Sequence, residues 1–251
     1  IDNNHRSDEP DYYTIKARCK HFSLVGCTFQ YSEDFQRDKT HALILSSWGN
    51  ITIIDSIITG SQQHSKPAGI QYEPERTPTL PFVMTNVTFS NIKGLENDAS
   101  YSSCFAIPLI DFEIHDIHIN SSTGSSLGNL TLTNKDVQQF ESWTFVSNQV
   151  STDFPILFSG TTLEFTNCTF RSNQLAGAGN LLIDRSATFE NCDFIDNHAT
   201  QDGGALCIQT ADPIQINNCR FTSNIAGNYG GAIFLGTITI RADDSNPLII
   251  D

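Results

Sequence analysis

The sequence predicts an all-β protein, a right-handed parallel β-helix (solenoid) of about 8–9 coils. Three observations lead there: a six-residue segment that recurs along the whole chain, a column of aromatic or branched residues that ends each copy, and a composition poor in charge but rich in Asn, Ser and Thr. Among 251 residues, 20 are Asn, 24 Ser and 24 Thr, while charged residues make up only 17%. With 17 Phe and one Met, such a chain has little to build helices from.

The recurring segment is clearest in Phe165-Thr-Asn-Cys-Thr-Phe170, Phe189-Glu-Asn-Cys-Asp-Phe194 and Ile216-Asn-Asn-Cys-Arg-Phe221. Weaker copies run Leu24 to Phe29, Ile53 to Ile58, Met84 to Phe89, Ile114 to Ile119 and Phe140 to Phe145. Their last residues are 24 to 31 positions apart. A sandwich or jelly roll also has many short strands, but nothing in it requires the same residue types at that period.

Within each copy, positions 1, 4 and 6 are apolar or small, and so is the residue two places upstream of most copies, such as Phe22, Ile51, Phe82 and Leu163. Alternation at period two means a strand with one buried face. The break between positions 1 and 4 means the strand bends there. The third position supplies the bend: Gly26, Asp55, Asn86, Asp116, Ser142, Asn167, Asn191 and Asn218 are the types that enter left-handed conformations most cheaply. About ten residues later comes a second strand signal, strongest in Gly203-Gly-Ala-Leu-Cys-Ile208 and Gly230-Gly-Ala-Ile-Phe-Leu235, whose paired glycines mark a sharp corner. No unit of this kind can bury its apolar face alone, so units must stack, each strand pairing in parallel with its equivalent one turn later. Handedness follows the right-handed preference of parallel crossovers.

A single domain over residues 1–251 is expected, with a polar N-terminal extension at 1–14 and the most regular coils at 140–236. The chain starts without Met and stops after beginning another coil at Thr237, so it reads as a piece of a longer protein. With 28 acidic against 14 basic residues the formal charge is −14, which argues against nucleic acid or an anionic membrane surface as partner. No apolar run is long enough to span a membrane.

Most of the repeated residues read as structure. Phe29, Phe89, Phe145, Phe170, Phe194 and Phe221 should stack inside the rod, and Asn148, Asn173, Asn197 and Asn224 should form a hydrogen-bonded ladder between turns. Cys168, Cys192 and Cys219 fall in one inward column. In-register side chains leave the strand in the same direction, which opposes disulfide geometry, so reduced, buried thiols are expected. Sequons occur at Asn50, Asn86, Asn120, Asn129 and Asn167. Asn50, Asn120 and Asn129 are the candidate N-glycosylation sites; Asn86 and Asn167 sit in the bend column and are expected to stay bare.

No catalytic set emerges. A polysaccharide-cleaving β-helix needs carboxylates converging on one face, but Asp55 and Asp116 are separated by Asn86 and read as turn-formers. His115 and His118 have no nucleophile placed by sequence. Asp196, Asp202 and Asp212 lack calcium-loop spacing. No cofactor and no metal are expected. Recognition is placed instead on the longer loops of the first half, at Tyr31, Phe35, Tyr72, Glu73, Glu75, Arg76 and Tyr101.

The FxxN pattern at Phe145–Asn148, Phe170–Asn173, Phe194–Asn197 and Phe221–Asn224, alternating with GGA(I/L) at 203–206 and 230–233, resembles the repeats of chlamydial polymorphic outer membrane proteins (Pmp) and their relatives on protist surfaces. The resemblance implies an extracellular or cell-surface rod without enzymatic activity, acting as an adhesion module toward a protein or glycan on another cell or matrix. A structural rod spacing neighbouring modules of one assembly is the alternative reading, and a carbohydrate-active enzyme the third.

Overall fold

A strand that is apolar at alternate positions on both sides of a turn-former buries both halves only if the chain bends at that residue. The computed structural model shows this bend in every coil. It describes residues 15–19, 21–30, 43–47, 51–60, 69–72, 82–93, 102–108, 112–124, 126–131, 137–151, 156–158, 162–177, 179, 181–210, 212–236 and 248–250. All of the secondary structure among them is β.

The strands form sheets of 14, 6, 5 and 3 members, and every pairing between them is parallel. The longest sheet carries the repeated segment. Ile53 pairs with Met84, Met84 with Ile114, Phe140 with Phe165 and Phe165 with Phe189, so the sequence columns are the structural register. The six-stranded and three-stranded sheets take the second strand signal, from Ile15–Cys19 to Ile156–Phe158 and then from Leu181–Ile183 to Ile233–Leu235. The five-stranded sheet is made of two-residue strands, beginning with Thr123–Gly124 and ending with Ile225–Ala226. Because this face begins only at Thr123, about five turns carry all three sides among the described residues, fewer than the 8–9 coils expected. The long face and the six-stranded face both continue through the N-terminal coils. The 1–14 extension lies outside the described residues.

All eight third-position residues have positive φ, from 50° at Asp55 to 63° at Gly26. A second column does the same two residues after the Phe column: Asn91, Ser121, Ser147, Ser172, Asp196 and Ser223, with φ between 50° and 55°. Among the described residues every non-glycine residue at positive φ is thus Asn, Asp or Ser, short polar side chains that suit a bend. The first bend splits the long face; the second turns the chain onto the five-stranded face. At the third corner, Gly203 has φ +69° and a Cβ on Gly204 would lie 2.0 Å from the Gly231 carbonyl, so the paired glycines let successive coils approach.

Two aromatic columns fill the regular half. Phe145, Phe170, Phe194 and Phe221 stack with centroids 5.0, 4.8 and 4.9 Å apart and nearly parallel planes. Phe140, Phe165 and Phe189 form a second stack at 4.7 and 4.9 Å. Edge contacts such as Phe165 with Phe170 tie the two together. Toward the N-terminus Phe89 is fully buried and Phe29 nearly so, on rungs joined by Ile58.

Beside the aromatics runs the amide ladder. Nδ2 of Asn148 donates to Oδ1 of Asn173 (3.0 Å), Asn173 to Asn197 (3.1 Å) and Asn197 to Asn224 (2.9 Å). The second N–H of each amide goes to the backbone carbonyl at the Phe column one coil earlier: Ile119, Phe145, Phe170 and Phe194. Each Oδ1 also accepts the backbone N–H of the ladder residue before it, beginning with Ser122. Every donor and acceptor of Asn173 and Asn197 is therefore used, which is the condition for burying an amide without penalty.

Gln138 shows the contrast. It occupies the inward column between Phe112 and Leu163, is 1% exposed, and neither its Oε1 nor its Nε2 has a hydrogen-bond partner. The two buried amides predict opposite responses. Asn197→Ala, which orphans the Asn173 amide and the Phe170 carbonyl, should cost about 3 kcal/mol. Gln138→Leu should gain about 1 kcal/mol by removing an unpaired buried amide. Urea unfolding of both variants checks the pair.

Candidate functional site

Outward-facing residues are the ones the core leaves free, and on a β-helix they form rows because the register repeats at every coil. On the five-stranded face one row runs Thr123, Gln149, Gln174, His198 and Ile225. The next residue of each strand turns inward, as Val150, Leu175 and Ala199 do. The residue after that turns out again, giving a second row of Ser151, Ala176 and Thr200. Between the two rows lies a groove of about 490 Å³, with Lys93 and Thr123 at one end and His198 and Thr200 at the other. Gly124, Val150 and Leu175 also line it. That volume lies within the usual range of ligand sites. Gln149 donates to Gln174 across one rung at 3.4 Å, and the Thr200 hydroxyl donates to the Ala176 carbonyl.

The loop residues expected to recognise a partner are not gathered here. Tyr31, Phe35, Glu73, Glu75, Arg76 and Tyr101 lie outside the described residues. Tyr72 is described and corrects the expectation: it ends the strand Ile70–Tyr72, is 2% exposed and packs its ring 5.6 Å from Phe82. The alternation of that strand points it inward, and burial pushes its phenol up to about 12.

Of the sequons, Asn50 lies outside the described residues, Asn120 ends the strand Phe112–Asn120 and is half-buried, and Asn129 sits within the strand Ser126–Thr131. Asn86 and Asn167 occupy the bend, as the register requires, but the bend exposes their side chains instead of shielding them. Asn86 is held by donating to Asp55 at 2.8 Å.

The residues weighed for catalysis stay apart. Asp55 and Asp116 form bends on coils either side of Asn86. His118 Nδ1 shares a hydrogen bond with the Thr144 hydroxyl (2.8 Å), and His115 Nδ1 lies 3.8 Å from Glu141. Asp196 is in the second bend column and Asp202 accepts the Tyr229 backbone N–H. Among the described residues no three His, Cys, Asp or Glu side chains converge on a point where a metal ion could sit.

Sequence similarity converges on the same coils. Two of them, residues 191–209 and 218–236, match the Chlamydia polymorphic membrane protein repeat. No curated protein and no solved structure matches the chain. The Pmp-like repeats lie on a parallel β-solenoid, and the structure explains their motif: Phe194 and Phe221 are stack members, Asn197 and Asn224 ladder members, and Gly203-Gly204 and Gly230-Gly231 corners. The Pmp-like motif thus specifies scaffold, and the groove rows fall at positions it does not constrain.

Cys27, Cys104, Cys168, Cys192, Cys207 and Cys219 are free thiols. The hydrogen bond with Cys168, and after it burial, push the Cys192 thiol up to about 12 against a lowering by the bond with Cys219; Cys219 is pushed up too, first by Cys192 and then by burial. Burial pushes Cys104 up to about 12 against a lowering by its hydrogen bond with Ser122. The unfolded chain ionises thiols near 9 and Tyr72 near 10, while the folded chain keeps Cys104, Cys192 and Tyr72 protonated to about 12. The folded state therefore binds more protons between those limits, so this contribution is complete below pH 9 and lost as the pH rises towards 12. Urea midpoints should fall stepwise across that window, and iodoacetamide should label Cys104 and Cys192 only after unfolding. A Cys168–Cys192 or Cys192–Cys219 bridge in the non-reduced, alkylated protein would contradict both.

Proposed function

We propose that this chain is a non-enzymatic β-helix, secreted or displayed on a cell surface, that works as an adhesion module. The observation that carries this reading is the match of two successive coils to the Chlamydia polymorphic membrane protein repeat, on a rod whose repeat motif is spent on core and corners. A rod of this kind holds its outward rows rigid and in register, which suits contact with an extended surface. Its partner is a protein or glycan on another cell or on matrix.

One feature favours the second reading, a structural rod stacked on neighbouring modules. On the coil of residues 214–236 Tyr229 and Leu235 are 72% and 43% exposed, apolar surface of the kind a neighbouring module would cover.

Attachment separates the two. Beads coated with the folded chain should bind animal or bacterial cells saturably, with soluble chain competing. Binding no greater than that of beads carrying the heat-denatured chain, across the cells tried, would remove the adhesion reading and leave the rod.

A further inference from the structure

We propose that the groove on the five-stranded face binds an extended, uncharged glycan, its sugar units lying along the rungs between Lys93 and His198. The proposal rests on the adhesion reading and names the chemistry that one of its surfaces would recognise.

Four properties of the groove select this ligand. The first is charge. The chain carries 28 acidic residues, yet none is among the described residues that line the groove, and Lys93 is the one lysine or arginine among them. A cationic ligand finds no counter-charge on these residues, and a polyanion meets a protein with a net charge of −14.

The second is hydrogen-bonding type. The outward groups are amides at Gln149 and Gln174, an imidazole at His198 and hydroxyls at Thr123, Ser151 and Thr200. The two amides and the imidazole both donate and accept, which is what a sugar hydroxyl requires of its partner, while the Ser151 and Thr200 hydroxyls give their hydrogens to the Gly124 and Ala176 carbonyls and offer oxygen lone pairs. The bond between Gln149 and Gln174 uses one amide N–H and one oxygen lone pair, so each amide keeps a donor and an acceptor for a ligand.

The third is period. Gln149, Gln174 and His198 are equivalent positions on successive rungs. Coils stack about as far apart as the Phe170 and Phe194 rings, 4.8 Å. An extended peptide presents like groups on one side only every two residues, about 6.7 Å, and drifts out of step with the rungs. A pyranose unit in an extended chain spans about one rung, so the two-unit repeat of a flat β-1,4 chain returns like groups to the same side about every two rungs and stays close to step.

The fourth is the row's continuation. Past His198 the same row reaches Ile225, 59% exposed, an apolar side chain against which the flat C–H face of a sugar ring packs.

The Asn ladder cannot serve this purpose, since its amides are buried and saturated. The Gln149–Gln174 pair is exposed and no part of the core depends on it. Its substitution should therefore leave the fold intact.

The test is calorimetric titration of the full chain with cellohexaose, chitohexaose and β-1,4-mannohexaose, with hexagalacturonate and an extended uncharged peptide as comparators. At least one neutral hexasaccharide should bind, more tightly than its own disaccharide. The double variant Gln149→Ala/Gln174→Ala should weaken that binding by about tenfold or more, with its circular dichroism and urea midpoint unchanged. Failure of all three neutral chains to bind, affinity unaltered by the double variant, or tighter binding of hexagalacturonate or the peptide would each overturn the proposal. Cell attachment by the unaltered chain keeps the two ideas apart. Attachment to cells without binding of any of the three neutral hexasaccharides overturns the groove and leaves the adhesion reading standing.

Discussion

In-register stacking is the constraint on which the rest of the structure depends. Once each coil sits directly over the last, every side chain has a copy of its own position about 4.8 Å above and below, so a residue type succeeds only if it interacts well with its equivalents. Asn meets this condition in the interior because its amide is a donor and an acceptor on one flat group. The chain of bonds through Asn148, Asn173, Asn197 and Asn224 can therefore run without an unpaired atom until it reaches the end of the row. Phe meets it by dispersion between offset rings. Gln138 does not, because Leu163 on one neighbouring rung offers it no polar partner.

Outside the rod, the same constraint acts on charge. Like charges on adjacent rungs would repel at close range, and the described acids avoid it. Glu141 and Glu190 share a row with Thr166 between them, and Asp55 and Asp116 share the bend column with Asn86 between them. Where Asp193 has a charged neighbour, that neighbour is Arg220, joined by two bonds of 2.9 and 2.7 Å. A −14 chain with only 17% charged residues is the outcome of this spacing, and Asn, Ser and Thr fill the intervening positions.

How much could be read from the sequence follows from which positions the stacking constrains. The inward columns were legible because burial limits each to a few residue types: Ile53, Met84 and Ile114 align by eye and pair in space. The first bend was legible for the same reason. The second bend was missed although its column, from Asn91 to Ser223, uses the same Asn, Asp and Ser alphabet. The FxxN spacing drew attention to the residues on either side of it. Tyr72 was misplaced because the flanking strand is only three residues long and its alternation cannot be recognised without the neighbours it pairs with. The groove left no trace, since Thr123, Gln149, Gln174, His198 and Ile225 share no common residue type.

That last difference bears on how function is distributed along such a chain. A repeat motif can be recognised only where stacking forces residues to be alike, and those are the positions committed to core, ladder and corner. Residues that meet a partner must instead differ from coil to coil, because a row of identical side chains offers no means of telling one ligand from another. The match at residues 191–209 and 218–236 and the irregular row from Thr123 to Ile225 are therefore complementary products of one architecture. The regular positions hold the coils in register, and the register turns five outward residues, of which only Gln149 and Gln174 are alike, into one continuous surface.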